Sequence, residues 1–394
     1  MNKPKVNKRI LALDILRGFT IAGMILVNNP GSWGHIYAPL RHAEWNGLTP
    51  TDLVFPFFMF IMGISTYISL KKYNFEFSQS AALKIVKRTI VIFLIGCAIG
   101  WFSRFCRYWV SAPEDLSFFE NLWASVWTFD RMRILGVMQR LALCYGAASI
   151  VALTVKHKRI PYIIATILIG YFVILTCGNG YEYNETNILS IVDRAILTPT
   201  HMYKDNGIDP EGLLSTLPSI AHVLLGFYVG KLMLDGNKSQ DRMSFLNSQI
   251  VTLFLVGTIL TFAGFLLSYG CPINKKIWSP TFVLTTCGLA SSFLALLIWI
   301  IDVKGKKKWS LFFEAFGVNP LFMYVLGGVL GILFGCIRFP WEDGMISIHT
   351  FLYKIVLMPV FGQTGGSLAY ALLFVTINWC IGYQLYKRKI YIKI

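Results

Sequence analysis

A polar cluster directly precedes a long apolar run in the stretch LRHAEWNGLTPTDLVFPFFMF, residues 40–60. The cluster contains His42, Glu44 and Asn46, and Asp52 follows just inside the apolar run. An imidazole accepts and returns a proton near neutral pH, and a neighbouring carboxylate fixes which ring nitrogen carries that proton. The stretch therefore predicts a general base at His42 with Asp52, Glu44 and Asn46 as supporting residues. A structural hydrogen bond within the loop is the alternative interpretation of His42.

Asn28 ends the first apolar run of the chain. The loop over residues 28–51 leaves and re-enters the membrane on one side, so Asn28 can come near His42. A side-chain amide that faces a carbonyl oxygen stabilises the negative charge that develops there during acyl transfer. The two residues together predict an acyl-transfer site with one base and one oxyanion donor.

Two ionisable residues, Asp14 and Arg17, lie within the first apolar run, where charged groups are costly and usually paired or functional. They are three residues apart, so they are neighbours on one face of a helix. The spacing predicts an internal ion pair that faces the helix bundle. The alternative is that Arg17 or its partner contacts an anionic ligand.

A second polar pair, Gln139 and Arg140, occurs in the first turns of a later apolar run, GVMQRLALCYG. Arg140 needs a partner at that depth, and Asp52 and Asp130 are the candidates. Asn319 precedes a proline, which has no backbone N–H, and we expect its amide to satisfy backbone groups rather than to bind a ligand.

The composition is that of a membrane protein. The 394 residues are 55% hydrophobic and only 14% charged, and the mean hydropathy is +0.58. A soluble domain carries roughly 25% charged residues. We therefore expect one all-α, polytopic helical bundle over residues 1–394, with the first apolar run retained as a helix rather than cleaved. The acyl-transfer site predicted at His42 and Asn28 makes this bundle a single transmembrane acyltransferase domain.

A helix needs about 20 mostly apolar residues to cross the hydrocarbon layer. Ten segments meet this length, and a shorter eleventh, Ile346–Phe361, carries His349 and Lys354 and is predicted to be re-entrant or interfacial. The ten predicted spans are Ile10–Val27, Leu53–Leu70, Ile85–Phe105, Ile134–Val155, Ile160–Cys177, Leu214–Leu232, Ile250–Leu267, Phe282–Ile301, Leu311–Phe334 and Leu368–Leu385.

Lysine and arginine predict the orientation, because cytoplasmic loops carry an excess of both. One set of loops and termini holds 23 of the 36 basic residues, and the net charge of the chain is +16. Both termini are therefore predicted to be cytoplasmic, in a multi-pass protein of the cell (inner) membrane. The excess of lysine and arginine in these loops primarily indicates membrane topology. Its functional interpretation is that the basic loops attract an anionic ligand from the cytosol. Nucleic-acid binding is not expected.

Three large loops are predicted on the other side, over residues 28–51, 106–133 and 178–212. The first two are rich in aromatic residues, which are typical of a membrane interface or of stacking on a sugar ring. The eight cysteines show no CxxC or other metal spacing, so no metal is expected. A disulfide is an option only among Cys106, Cys177, Cys271 and Cys336, which fall near one set of helix ends.

Several longer motifs resemble the heparan-α-glucosaminide N-acetyltransferase family and its bacterial relatives. The resemblance runs along nearly the whole chain, and the segment around His42 is its most specific part. The motifs are LDILRGFTIAGMILVNN, RHAEWNGLTPTDLVFPFFMFIMG, GVMQRLALCY, DPEGLLSTLPSIAHVLLGFYVGKLM, NKKIWSPTFVLTTCGLA and YKRKIYIKI.

The resemblance implies transfer of an acetyl group from cytosolic acetyl-CoA, across the membrane, to the amine of a glucosamine-type glycan. It places the catalytic histidine on His42 and the functional asparagine on Asn28, and it suggests a homodimer. A basic cytoplasmic face suits the three phosphate groups of CoA, with Arg17, Asp14, Arg140 and Gln139 as candidate contacts. The lysosomal members carry an extra luminal domain and one more helix that this sequence lacks, so the resemblance does not establish heparan as the acceptor.

Two other functions remain open at this stage. A permease for amino sugars or other solutes would use Asp14, Arg17 and Arg140 as a site in the middle of the membrane. A membrane scaffold would neither bind CoA nor transport a solute.

Overall fold

A computed structural model of the chain describes residues 10–113, 115–203, 205–235, 241–342 and 344–392. These residues form a helical bundle with one small β-hairpin. The helices are α1 Leu11–Asn28, α2 Pro50–Leu70, α3 Gln79–Ser111, α4 Phe118–Val126, α5 Val137–Thr154, α6 Ile160–Cys177, α7 Ile188–Leu197, α8 Thr216–Asp235, α9 Arg242–Leu267, α10 Pro280–Leu297, α11 Leu311–Val318, α12 Pro320–Cys336, α13 Ile348–Thr350 and α14 Met358–Lys387.

Eight helices in the described ranges are long and apolar enough to cross a membrane, namely α1, α2, α5, α6, α8, α9, α10 and α14. The bent pair α11–α12 makes a ninth if it is counted as one span. The predicted span Ile85–Phe105 lies inside α3, a helix of 33 residues that is not among the eight. The helical class is confirmed, while the count of ten and the orientation remain predictions.

The bundle has a basic end, at which α1 and α9 begin and α2, α8 and α10 end. Contacts join these helix ends: Lys71 pairs with Asp235 at 2.9 Å, and Asp302 accepts a hydrogen bond from the backbone N–H of Ala12 at 3.2 Å. The loops that the charge pattern assigns to one side therefore meet at one end of the bundle. Six of the basic residues behind that assignment lie outside the described residues: Lys3, Lys5, Lys8, Arg9, Lys238 and Lys393.

The large loops meet at the opposite end, where α1 ends and α2 begins. The indole N–H of Trp45 donates to the backbone oxygen of Tyr181 at 2.8 Å, and Arg133 forms an ion pair with Asp209. Thus the loops predicted to share a side are in mutual contact at this end as well.

Small residues allow the central helices to approach closely. A side chain on Gly18 would lie 1.8 Å from the backbone oxygen of Phe313, and one on Gly317 would lie 2.0 Å from the backbone oxygen of Asp14. Such contacts are a common way to pack helices in a membrane, where apolar burial drives association only weakly. This packing brings α1, which carries Asp14, Arg17 and Asn28, into the centre of the bundle.

The predicted span Leu311–Phe334 is not one straight helix. It is broken into α11 and α12, which meet at an angle of 91°. Pro320 causes the break, because proline lacks a backbone N–H and clashes with the preceding helical turn. The Asn319 amide donates to the backbone oxygen of Ile390 and accepts from the backbone N–H of Ile392, each at 2.8 Å. Asn319 therefore satisfies backbone groups as predicted, but those of the C-terminal segment.

The segment Ile346–Phe361 leads from the hairpin into the last helix. The hairpin, which the sequence did not predict, pairs Arg338–Trp341 with Gly344–Ser347. A wide helical turn follows, and Gly362 interrupts the helix with a φ of 70°. Since residues 348–387 make 40 residues, about twice the length that one crossing needs, a non-spanning segment before Gly362 remains our interpretation.

All eight cysteines are free thiols. The side chains of Cys106 on α3 and Cys336 on α12 lie close together, so two of the four candidates for a disulfide are neighbours.

Candidate active site

His42 and Asp52 form the centre of the candidate site. The ring nitrogen Nδ1 of His42 lies 2.6 Å from Oδ1 of Asp52. The His42 side chain is 42% exposed, whereas the Asp52 side chain is 1% exposed. Nδ1 donates to the carboxylate, so the lone pair of Nε2 is available at an exposed ring.

Local sequence holds Asp52 in this position. The side chains of Thr49 and Asp52 form a capping box at the start of α2, and Pro50 occupies the first turn, where its missing N–H costs nothing. Oδ2 of Asp52 accepts hydrogen bonds from the backbone N–H groups of Ala43 and Thr49, both at 3.1 Å. One carboxylate therefore caps the helix with Oδ2 and orients the imidazole with Oδ1.

Lys275, far along the chain, completes the cluster. Its Nζ lies 3.0 Å from Nδ1 and 3.4 Å from Nε2 of His42, and 3.4 Å from Oδ1 of Asp52. The Lys275 side chain is 17% exposed. Burial lowers the pKa of the Lys275 ammonium group, while the carboxylates of Asp52 and Glu211 act in the opposite direction.

The loop between α9 and α10 places Lys275 against the loop that carries His42. The Asn274 side chain accepts from the backbone N–H groups of Lys276 and Ile277 and donates to Asn46 at 3.2 Å. Asn46 thus supports the cluster by joining the two loops. Glu44 is exposed, and among the described residues no hydrogen bond links it to His42.

Asn28 lines a different feature, the Asn28 cavity, which has a volume of about 590 Å³. The polar side chains around it come from α1, α3, α12 and α14 and from the segment after the hairpin. They include Asn28, Asn29, Ser103, Arg107, Tyr324, His349 and Tyr370. His42 does not line this cavity, and in the part of the chain that the structure describes no hydrogen bond joins it to Asn28.

A second cavity of about 380 Å³, the basic cavity, contains three cationic side chains in its lining: Arg17, Lys84 and Arg88. Arg17 pairs with Asp14 at 3.0 Å and donates to the Ser65 hydroxyl at 2.8 Å, so the predicted ion pair of Asp14 and Arg17 is confirmed. The Arg88 guanidinium lies over the ring of Tyr145 at 4.7 Å. Nε of Arg88 is buried and has no hydrogen-bond partner among the described residues.

The two cavities share three walls. Residues of α1, α3 and α12 line both, with the basic cavity toward the basic end and the Asn28 cavity toward the opposite end. On α3, for example, Lys84 and Arg88 face the first cavity, whereas Ser103 and Arg107 face the second. The helices therefore carry a cationic cavity and a polar cavity one above the other.

Arg140 and Gln139 lie elsewhere. Arg140 is fully buried, donates to the backbone oxygen of Gly212 at 3.2 Å and to the Ser215 hydroxyl, and lies over the ring of Trp278 at 5.1 Å. Gln139 donates to the sulfur of Cys97 at 3.6 Å. Neither residue lines the basic cavity.

The predicted partners of Arg140 were wrong. Asp52 binds His42 and Lys275, and Asp130 lies 3.5 Å from Arg131. The reason is that α5 faces the start of α8. There a backbone oxygen and a hydroxyl, rather than a carboxylate, accept the hydrogen bonds of the Arg140 guanidinium.

Four residues near these features were not candidates from the sequence: Lys275, His349, Lys84 and Arg88. Lys84 and Arg88 carried a usable signal, because a spacing of four puts both on one helix face. The sequence contained no such signal for Lys275 and His349. Lys275 lies in a loop and His349 in an irregular segment, so no helical spacing relates either residue to its neighbours in the structure.

Two curated relatives are similar to this chain, and both are named heparan-alpha-glucosaminide N-acetyltransferase. The human protein is 27% identical over an alignment of 374 positions, which covers 80% of this chain and 52% of the human protein. The mouse protein is 26% identical over an alignment of 446 positions, gaps included, which covers 98% of this chain and 60% of the mouse protein. The chain thus spans only part of the length of both relatives.

The family described as heparan-alpha-glucosaminide N-acetyltransferase, catalytic, matches residues 9–265. The match covers more than half of the chain and contains Asn28, His42 and Asp52. The chain therefore belongs to the heparan-α-glucosaminide N-acetyltransferase family.

Proposed function

We propose that this protein is a membrane N-acetyltransferase. It takes the acetyl group of acetyl-CoA from the basic end, which faces the cytoplasm of the cell, and transfers it to the amine of an amino sugar at the opposite end. The observation that carries the proposal is the 2.6 Å hydrogen bond between His42 and the buried Asp52, with Nε2 left at an exposed ring. Family membership supports the type of reaction.

The basic cavity suits the phosphate groups of CoA. Arginine and lysine are the side chains that bind phosphate, and arginine does so with several N–H groups at once. Arg88 has a buried Nε without a partner among the described residues, and Lys84 lies one helical turn away. Of the candidates named from the sequence, Arg17 with its partner Asp14 belongs to this cavity, whereas Arg140 and Gln139 do not.

The stacked cavities support a two-sided arrangement. A donor whose phosphates stay in the basic cavity can extend its flexible arm along α1, α3 and α12 toward the Asn28 cavity. The charged nucleotide then never enters the apolar centre of the membrane, where charges are costly.

Asn28 and His42 take separate roles in the proposed reaction. The Asn28 amide donates to the carbonyl oxygen of the thioester, and Nε2 of His42 accepts the proton of the attacking amine. Asp52 keeps the ring in the tautomer that leaves Nε2 free. The new C–N bond forms, the C–S bond breaks, and the proton passes from Nε2 to the leaving sulfur. Acetylation of His42 before transfer is a second route through the same nitrogen.

The test uses the purified protein with acetyl-CoA and a panel of amines, with release of the CoA thiol as the signal. We expect release with amino sugars, and a loss of at least about 10³-fold in kcat for His42→Ala. Mass spectrometry of protein incubated without acceptor distinguishes the two routes, because only the second acetylates His42.

His157→Ala is the matched control, because His157 lies at the basic end and binds the backbone oxygen of Ala152. Wild-type rates in His42→Ala, with a normal thermal unfolding curve, would contradict the proposed function.

A further inference from the structure

We infer that Lys275 is a third residue of the acetyl-transfer site and supplies positive charge where the oxygen of the acetyl group turns negative. The inference rests on the proposed function and adds a residue to it.

The contacts of Lys275 place its charge at the reactive edge of His42. Nζ is 3.0 Å from Nδ1 and 3.4 Å from Nε2, so the ammonium group reaches both ring nitrogens. Nδ1 already donates to Asp52, and the ammonium group lies at the ring edge between the two nitrogens, so the lone pair of Nε2 points away from it. An amine that gives its proton to Nε2 must attack the acetyl carbon within a few ångströms of this charge.

The surroundings keep that charge in place. Lys275 is mostly buried, and transferring an ammonium group out of water is costly unless other charges compensate. Asp52 lies 3.4 Å away, and the carboxylate of Glu211 also acts on Lys275. Asn274 and Asn46 fix the loop that carries it.

The positive charge of Lys275 can stabilise an intermediate of the proposed acetyl transfer. When the amine attacks the carbonyl carbon, the C=O electrons move to oxygen, and a nearby ammonium group stabilises the oxyanion until the C–S bond breaks. The titratable groups facing His42 and Lys275 are Asp52 on α2, Glu211 in the loop before α8, and Lys276 beside Lys275.

Lys275→Met is the test, and Lys276→Met is the matched control. Lys276 is the next residue, but its ammonium group lies 2.8 Å from Asp205, on the other side of the loop. We expect Lys275→Met to lower kcat by about 10²-fold, with KM for acetyl-CoA changed by less than about threefold. Lys276→Met should keep kcat within about threefold, and Lys275→Arg should recover part of the rate because it keeps the charge.

Rescue by charge separates this role from a purely structural one. Lys275→Arg and Lys275→Met both lose the lysine, but only the arginine variant keeps a positive charge beside His42. The kcat of Lys275→Arg should therefore lie well above that of Lys275→Met. Lys275→Gln replaces the methionine variant if that variant unfolds.

A folded Lys275→Met or Lys275→Gln enzyme with wild-type kcat would overturn the inference. The same assay with His42→Ala keeps the two proposals apart. Loss of activity in His42→Ala together with a normal Lys275→Met overturns only the role of Lys275, whereas normal activity in His42→Ala overturns both.

Discussion

Asp52 performs two tasks with its two carboxylate oxygens. Oδ2 accepts the backbone N–H groups of Ala43 and Thr49, while Oδ1 faces His42. The position is therefore both the start of a membrane helix and a part of the candidate site. A substitution that keeps the cap and changes the group facing His42 separates the two tasks.

Asp52→Asn is such a substitution. Asparagine keeps one oxygen for the cap but turns an N–H₂ group toward Nδ1, which then becomes an acceptor and carries no proton. The proton moves to Nε2, and the base is lost. We expect kcat to fall by about 10³-fold while KM changes by less than about threefold. Thiol release measures the rate, and thermal unfolding checks the fold; a kcat within threefold of wild type would contradict the role of Asp52.

Asp193 is a buried carboxylate outside the predicted spans. Its Oδ1 accepts the backbone N–H groups of Leu213 and Leu214, and Oδ2 has no partner among the described residues. Burial raises the pKa of Asp193 to about 6. Because its pKa is higher in the folded state, the folded protein binds more protons than the unfolded chain between about pH 4 and pH 6, and its stability falls as the pH rises through that range.

Asp193→Asn removes this titration and keeps an oxygen for the two backbone N–H groups. We expect the variant to be more stable than wild type above pH 6, on the order of 2–3 kcal/mol, and the difference to shrink toward pH 4. Thermal unfolding in detergent between pH 4 and pH 8 measures it. A difference that does not depend on pH would show that burial does not raise the pKa of Asp193.

At the scale of elements, α3 connects the two cavities. This helix contributes Lys84 and Arg88 to the lining of the basic cavity and Ser103 and Arg107 to the lining of the Asn28 cavity. Lys87 precedes Arg88 but is exposed and does not line the basic cavity. The two neighbouring positions therefore provide a charge inside the cavity and a charge outside it.

Arg88→Gln should raise KM for acetyl-CoA by about tenfold, because one charge-assisted contact to phosphate is lost, and should leave kcat within about twofold. Lys87→Gln is the control, with KM within twofold of wild type. Acetyl-pantetheine carries no phosphate, so its KM should be the same in both variants and in wild type. If Arg88→Gln raised KM equally for acetyl-CoA and for acetyl-pantetheine, the phosphate groups of CoA would not contact Arg88.

The whole molecule has two chemically distinct ends. Basic loops meet at one, and the His42 cluster and the large loops lie at the other. This division suits a reaction whose two substrates come from different sides of a membrane. If the proposed function is correct, the reaction is directional in a sealed vesicle.

In proteoliposomes, acetylated amino sugar should form only when acetyl-CoA and the amine are on opposite sides of the bilayer. The exposed thiol of Cys177, at the opposite end, reports the orientation of the inserted protein through an impermeant maleimide. Product formation with both substrates on one side, and none across the bilayer, would contradict the two-sided arrangement.

Local features of the protein were predictable from the amino-acid sequence. Apolar runs of sufficient length predicted the helices, and a spacing of three predicted the ion pair of Asp14 and Arg17. His42 and Asp52 are ten residues apart, with a capping box between them, so their contact is also a short-range event. The uneven distribution of lysine and arginine along the chain predicted that the basic loops share one side, and the side of the membrane that they face stays a prediction.

Contacts between distant residues depend on how the helices pack against one another. Lys275 is 233 positions from His42, and both residues lie in loops. The helical periodicity of the apolar runs does not predict a contact between two loops. The same holds for Arg140, whose partners are a backbone oxygen and a hydroxyl, and for the basic cavity, whose cations come from two helices. The physical reason is that a helical period fixes which residues share a face, whereas the packing of several helices fixes which faces and loops come together.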